Sequence, residues 1–228
     1  MSPLGINETN YNFFCNICLF NDNDAHRQLI LLPSEQVSII NCIEFDDKFN
    51  KIASLVPASA TDSYGMVMFM NALNSKCLLL ASYENGDLAL FDLKMFSEIS
   101  RLSIFKGSPL MSFDYSLDKN IGFAGSAEAD LQAFGIIGGR SLSLINEPIP
   151  LKNAGINCIK IRASDSKIFA CAGWDSRIRV YGLNKTKLLC VLDFHKENVN
   201  TLDFSQVNNT LVCGSNDGLI SFWNLYNE

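Results

Sequence analysis

Two similar segments near the end of the chain limit what it can fold into. Residues 168–183 read IFACAGWDSRIRVYGL, and residues 210–225 read TLVCGSNDGLISFWNL. Each is an apolar run that ends near a glycine, followed by a polar turn with an aspartate and a second apolar run with an aromatic residue. The turn aspartates, Asp175 and Asp217, are 42 positions apart. A structural unit that recurs at this spacing predicts the blades of a β-propeller.

The same pattern continues upstream of these two segments. The preceding turn residues are Glu128 and Asn85, which lie 47 positions before Asp175 and 43 before Glu128. Side chains alternate between the two faces of a strand, so a repeated strand keeps its aromatic residue at a fixed distance from the turn. That distance is six positions in all four units, where the aromatic residues are Phe91, Phe134, Tyr181 and Trp223.

Each unit has short apolar and β-branched runs between clusters of Asp, Asn, Gly and Ser, which predict four strands. No segment shows a sustained 3.6-residue apolar period, so we expect few helices. A diverged unit precedes the others, and its first predicted strand is NFFCNICLF at residues 12–20. The predicted organisation is an irregular stretch at 1–10 and a propeller at 11–228, with units at about 11–55, 66–107, 108–152, 153–195 and 196–228.

The fifth predicted blade lacks its outermost strand, because the sequence ends at Glu228, soon after Trp223. Residues 1–10, which include Pro3 and Gly5, are a poor candidate to supply it. The fold class that we predict is therefore all-β, an open or partial propeller of five blades. The edge of its last strand would be exposed to pairing.

Composition excludes several functions. The net charge is −6 and Lys and Arg form no run, which disfavours nucleic-acid binding. A phosphate-binding G-x-x-x-x-G-K-[ST] motif is absent. The apolar runs are too short to span a bilayer, and the start lacks a signal peptide. Cysteines lie inside apolar runs, so we expect free thiols and a cytoplasmic or nuclear location.

A metal site is disfavoured. Cys15 and Cys18 form a C-x-x-C pair, but no second pair of ligands follows. In the predicted strand, positions three apart would also point to opposite faces. With two histidines far apart in sequence and no metal-ligand spacing, we expect no enzyme, no cofactor, no metal and no small-molecule substrate.

The segments AGWDSRIRVYG (172–182), GSNDGLISFWNLY (214–226) and LLLASYENGDLALFDL (78–93) resemble the WD-repeat family of ASTRA-associated protein 1. Its animal members are called guanine nucleotide-binding protein beta-subunit-like protein 1. The resemblance extends over residues 11–228. Family members are similar to a seven-bladed propeller, so the resemblance implies that about two N-terminal blades are lacking here.

The resemblance implies a protein-interaction scaffold or adaptor. Relatives act with the triple-T cochaperone complex, which matures phosphatidylinositol-3-kinase-related kinases, and the fungal form belongs to the chromatin-linked ASTRA assembly. An alternative is a generic WD-repeat adaptor of another complex, such as a ubiquitin ligase receptor or a G-beta-like signalling protein. A heterotrimer-like beta subunit would need an N-terminal coiled coil, and the sequence has no heptad run.

WD blades often contain a buried hydrogen-bonded tetrad of His, Ser or Thr, Asp and Trp. The matching positions in the last unit are His195, Cys213, Asp217 and Trp223, so a cysteine stands in place of the Ser or Thr hydroxyl. In the preceding unit, the turn residue that corresponds to Asp217 is Asp175. A buried carboxylate needs such partners. A charge relay with Cys213 as nucleophile is disfavoured, because a thiol inside a strand is inaccessible.

Partner contacts are predicted around Trp174, which precedes the turn aspartate. Trp and Arg are enriched at interaction hot spots. Arg177 and Arg179, two positions apart, would share one face of a strand and form one recognition patch with Trp174. The alternative is that both arginines pack along the blade and pair with acidic neighbours. Tyr226 is a weaker candidate for a partner contact.

Overall fold

The computed structural model describes residues 15–22, 26–46, 48–58 and 64–225. These residues form five antiparallel sheets in chain order. Sheet 1 contains β1 (Cys18–Asp22), β2 (Arg27–Pro33), β3 (Ile40–Glu44) and β4 (Lys51–Leu55). Sheet 2 contains β5 (Val67–Leu73), β6 (Leu78–Tyr83), β7 (Asp87–Asp92) and β8 (Ser97–Ser103).

Sheet 3 contains β9 (Leu110–Ser116), β10 (Ile121–Ser126), β11 (Asp130–Ile137) and β12 (Ser141–Pro150). Sheet 4 contains β13 (Ile156–Ile161), β14 (Ile168–Gly173), β15 (Ile178–Gly182) and β16 (Leu188–Leu192). Sheet 5 contains β17 (Val199–Phe204), β18 (Leu211–Ser215) and β19 (Ile220–Trp223). A single 3-10 turn, Asn74–Lys76, is the one helical element of the described residues, and none of them forms a helix able to cross a membrane.

The sheets pack face to face in chain order, as the blades of a propeller do. The middle strands of sheets 2 to 4 are buried on both faces along most of their length, and all six residues of β6 and all six of β14 are buried. Apolar clusters fill the space between consecutive sheets, for example where Phe123 of sheet 3 stacks on Phe169 of sheet 4. The first strands β1, β5, β9, β13 and β17 contact one another in series. This architecture confirms the predicted all-β propeller class.

Sheet 5 shows where the series of described sheets ends. Ile178 and Val180 of β15 are fully buried by the next sheet, whereas Ile220 and Phe222, at the same positions of β19, are 66% and 70% exposed. The outward faces of sheets 1 and 5 have no further described sheet against them. The described residues therefore form an open arc of five blades, the last with three strands.

The predicted first strand at residues 12–20 needs a correction. Strand β1 begins at Cys18, and Cys15 precedes it in irregular backbone. The argument that a strand turns Cys15 and Cys18 to opposite faces therefore does not apply, because only Cys18 is in the strand. Cys15 and Cys18 are free thiols, and burial raises the pKa of both.

Candidate interaction surface

The turns between the second and third strands of sheets 2 to 5 share one framework. The turn residues of these sheets are Asn85, Glu128, Asp175 and Asp217. In each sheet, the residue four positions before the turn residue lies directly opposite the residue four positions after it, on the neighbouring strand. These pairs are Ala81 with Ala89, Ala124 with Gln132, Cys171 with Arg179 and Cys213 with Ser221. The second member of each pair is buried. In sheets 4 and 5 that member connects to the turn aspartate, directly or through a histidine.

In sheet 5 the turn is held by a continuous chain of hydrogen bonds. His195 Nδ1 lies 3.0 Å from an Asp217 carboxylate oxygen, and His195 Nε2 lies 2.8 Å from Ser221 Oγ. Trp223 Nε1 donates to the same Ser221 Oγ at 2.8 Å. The chain is complete if Ser221 donates to a neutral His195 that keeps its proton on Nδ1. His195 thus joins the loop before sheet 5 to its central turn.

The hydroxyl of this network comes from Ser221, and the prediction that Cys213 occupies that place was wrong. Cys213 lies directly opposite Ser221, one strand away. The two positions face the same space, so the hydroxyl can be supplied from either strand. Burial raises the pKa of the Cys213 thiol to about 12, which leaves it unreactive at neutral pH.

The carboxylate of Asp217 is stabilised in its charged form. Burial acts to raise its pKa, but hydrogen bonds from the Lys196 and Leu219 N–H groups and from His195 outweigh this effect and lower it to about 2. Asp217 therefore stays ionised and keeps its acceptor oxygens for the turn.

Ser221, His195 and Asp217 also have the order of hydrogen bonds found in a serine hydrolase triad. The site differs from a catalytic one in access. The His195 side chain is fully enclosed, and Ser221 is buried with its Oγ already accepting from Trp223. A nucleophile must reach an acyl group, so this geometry fits a structural network.

In sheet 4 the turn aspartate is held by a different set of side chains. The Arg179 guanidinium makes two hydrogen bonds to the Asp175 carboxylate, at 2.5 and 3.1 Å. Asn153 Nδ2 donates to the same carboxylate at 2.8 Å from the loop before β13. Burial acts to raise the pKa of Asp175, but these hydrogen bonds and the Arg179 charge lower it to about 2.

The predicted three-residue patch is not formed, because Arg179 is buried beneath the turn. Arg177 lies just before β15 and donates from both Nε and Nη2 to Asp193, each at 3.2 Å. The Arg177 side chain is still 37% exposed, but its guanidinium is engaged by Asp193. Trp174 is thus the predicted contact residue whose exposed surface is not committed to an ion pair. Tyr226, the fourth candidate, lies outside the described residues.

Trp174 is fixed in place although 41% of its surface is exposed. Its backbone N–H donates to the Gly155 carbonyl at 3.0 Å, and its Nε1 donates to Asn157 Oδ1 at 2.6 Å. The ring lies over Gly155, where a Cβ would overlap it. Gly155 also has a φ of +92°, a conformation that favours glycine. The indole thus presents one side to solvent in a single orientation.

Amide side chains extend from Trp174 across sheets 4 and 5. Asn157 Nδ2 donates to the Val199 carbonyl at 3.1 Å and to Asn200 Oδ1 at 3.2 Å. Asn200 Nδ2 in turn donates to Asn216 Oδ1 at 2.5 Å. We call Asn157, Asn200 and Asn216 the amide belt. The belt is polar and partly exposed, and it borders the indole.

Sequence reasoning missed Ser221, Asn153 and the amide belt. A signal for Ser221 exists, because it lies two positions before Trp223 and so shares its strand face. Asn153 gives no comparable signal, since it lies in the loop before β13, outside the strand pattern. Among the residues that the structure describes, no group of three or more His, Cys, Asp or Glu side chains is arranged to hold a metal ion.

Comparison with known proteins gives the family. The model for the WD domain, G-beta repeat, matches residues 149–182 and 186–224, which contain the Asp175 and Asp217 turns. The chain is 33% identical over 201 residues to guanine nucleotide-binding protein subunit beta-like protein 1 of Mus musculus, a match covering 87% of this chain and 60% of that protein. It is 26% identical over 187 residues to ASTRA-associated protein 1 of Schizosaccharomyces japonicus, covering 76% and 51%. The chain belongs to the WD-repeat family of ASTRA-associated protein 1.

A shorter match has a higher identity. Over 75 residues the chain is 44% identical to ASTRA-associated protein 1 of Schizosaccharomyces pombe, a match that covers 33% of this chain and 20% of that protein. The chain spans about half to three-fifths of the length of the mouse and S. japonicus relatives.

Proposed function

We propose that the chain is a non-catalytic protein-interaction scaffold whose partner contacts Trp174 and the amide belt. The observation that carries the proposal is a large aromatic side chain held in one exposed orientation by hydrogen bonds. Interaction hot spots are enriched in tryptophan and surrounded by polar groups that exclude water. A side chain that is already ordered loses little conformational entropy on binding, which favours affinity.

The rigid turn beneath Trp174 supports this proposal. Asp175 joins the loop before β13 through Asn153 and the third strand through Arg179. The turn that carries the indole is therefore tied to two other parts of sheet 4. WD-repeat membership also favours a scaffold, since solenoid and propeller repeats present extended surfaces built from repeated turns.

For the finer role we propose support of cochaperone-assisted maturation of phosphatidylinositol-3-kinase-related kinases, or membership of an ASTRA-type assembly. The support is similarity to proteins named for association with ASTRA. For this role, we propose that the chain binds the triple-T cochaperone complex in the cytoplasm or the nucleus.

Affinity capture with mass spectrometry tests both levels of the proposal. The tagged chain is expressed in cells of its own source, and recovered proteins are compared with those captured by Trp174→Ala. We expect cochaperone subunits with the native chain and at least a several-fold loss with the variant. If the native chain captures a different complex and Trp174→Ala loses it, the proposal of a scaffold stands and the proposed cochaperone role is overturned.

A matched control separates the indole from general aromatic exposure. Phe45 is 49% exposed and lies in the turn after β3, at the strand ends opposite to the Trp174 turn. Phe45→Ala should leave partner recovery unchanged. Equal losses with Phe45→Ala and Trp174→Ala would contradict a contact centred on Trp174.

A further inference from the structure

A cavity with both polar and apolar walls lies at the strand ends opposite to Trp174. Its volume is about 480 Å³, and its walls come from the ends of β5, β9 and β13 and from the turns that follow them. Trp174 lies in the turn after β14, whereas the cavity is bordered by the turn before β14. Since that strand separates the two turns, the cavity is independent of the surface proposed above.

The walls carry negative charge and oxygen acceptors. Asp114 and Asp118 supply carboxylates, Ser116 and Ser166 supply hydroxyls, and Asn74 supplies an amide. No lysine or arginine is among the lining residues. The cavity therefore offers acceptors to a cation.

Asp114 is oriented by its neighbours and retains room for a ligand. Its Oδ1 accepts from Asn71 Nδ2 at 3.0 Å and from the Tyr115 N–H at 2.9 Å, and its Oδ2 accepts from the Ile161 N–H at 2.8 Å. A carboxylate has about four acceptor positions, so one remains on Oδ2. Burial raises the pKa of Asp114, whereas the Ile161 hydrogen bond and the nearby Lys160 charge act to lower it.

Asp118 and the two serines complete the site. Asp118 is exposed at the cavity and forms no ion pair with a described residue. Ser116 and Ser166 are buried, and Ser116 Oγ donates to Ser166 Oγ at 2.9 Å. Ser116 Oγ also accepts from the Lys119 N–H at 3.3 Å, so each hydroxyl oxygen keeps one of its two acceptor positions. An ammonium or guanidinium group needs several acceptors at once.

We propose that this cavity receives the lysine or arginine side chain of a partner polypeptide, with Asp118 and Asp114 as its anionic contacts. A cavity of this volume accommodates one long basic side chain, and exposed Asp118 marks the entrance. The scaffold would then contact partners at both ends of its strands.

The test uses three acetylated and amidated pentapeptides that differ at the central residue: Gly-Ser-Lys-Ser-Gly, Gly-Ser-Arg-Ser-Gly and Gly-Ser-Gln-Ser-Gly. Backbone NMR shifts of the isotope-labelled full chain report binding. We expect the Lys and Arg peptides to shift resonances of Asn74, Asp118 and Ser166, and the Gln peptide to leave them unchanged. Butylamine, which has the amine of lysine without a peptide backbone, is tested in the same way. If it binds with the same affinity as the Lys peptide, the cavity does not select a polypeptide and this part of the proposal is overturned.

Two variants locate the binding. Asp118→Asn removes one exposed charge and should weaken the Lys peptide roughly five-fold. Ala163→Phe, at an exposed lining position, should block entry and abolish the shifts. Glu35→Gln removes an exposed carboxylate outside the cavity lining and is the matched control. Equal binding of the Lys and Gln peptides, or an unchanged affinity in Asp118→Asn, would overturn the proposal without affecting the Trp174 surface.

Discussion

Replacing Ser221 with alanine tests the hydrogen-bond network of sheet 5. The substitution removes the one oxygen that contacts both His195 Nε2 and Trp223 Nε1, each at 2.8 Å. Both groups would lose their partner, and the side chain removed is small, so little packing changes. The expected effect is therefore the loss of two hydrogen bonds rather than the loss of a core side chain.

The magnitude follows from the cost of an unsatisfied buried polar group. Each such group costs about 1–3 kcal/mol, and Trp223 is only half-buried, so water can partly replace its partner. We expect a total of about 2–4 kcal/mol. In a repeat protein this loss acts mainly on the sheet that contains it, because each repeat contacts only its neighbours.

Hydrogen exchange measured by mass spectrometry reads such a local loss. Amides of β18 and β19 should exchange about thirty-fold faster or more in Ser221→Ala, since each 1.4 kcal/mol corresponds to a factor of ten. Sheet 2 serves as an internal control, and Ser141→Ala, which removes an exposed strand hydroxyl, is the matched variant. A change of less than three-fold would refute the assignment of Ser221, as would a larger effect from Cys213→Ala.

Three further predictions concern sheet 4. Asp175→Asn leaves the buried Arg179 charge without its counterion and should destabilise sheet 4 by about 3–5 kcal/mol, measured by the same exchange experiment. The pKa of Asp175 is about 2, below its unfolded value near 3.9, so its contribution to stability is complete above about pH 4 and is lost as the pH falls to about 2. Acid unfolding followed by circular dichroism should show this loss in the native chain and a weaker pH dependence in Asp175→Asn. Gly155→Ala would place a Cβ against the Trp174 ring at a φ of +92°, and it should cost about 1–3 kcal/mol and shift the tryptophan fluorescence.

The repeat pattern was sufficient to predict the fold class. The 42-residue spacing of Asp175 and Asp217 indicates blades, and apolar runs between turn residues indicate strands. The start of β1 was not predictable in the same way, because NFFCNICLF is largely apolar and the single asparagine between Cys15 and Cys18 does not mark where a strand begins. An apolar run shows that a segment is buried but not where its hydrogen bonds begin.

The network residues were harder to predict than the turns. Cys213 and Ser221 are cross-strand neighbours, so either could place a polar atom beside His195, and only the register decides between them. The hypothesis of an exposed patch with Arg179 rested on the rule that alternate residues share a face, whereas the alternative, that both arginines pair with acidic neighbours, matches the structure. Both faces of a central blade strand are buried, however, so that rule could not tell which arginine reaches solvent.

The central claim is that Trp174 anchors a protein partner on this WD-repeat scaffold. The most direct measurement is the affinity of the purified, captured partner for the native chain, Trp174→Phe and Trp174→Ala. A tryptophan at a hot spot typically contributes 2 kcal/mol or more, so we expect Trp174→Ala to bind about thirty-fold more weakly and Trp174→Phe to lie between them. Equal affinity of all three folded proteins would contradict the claim.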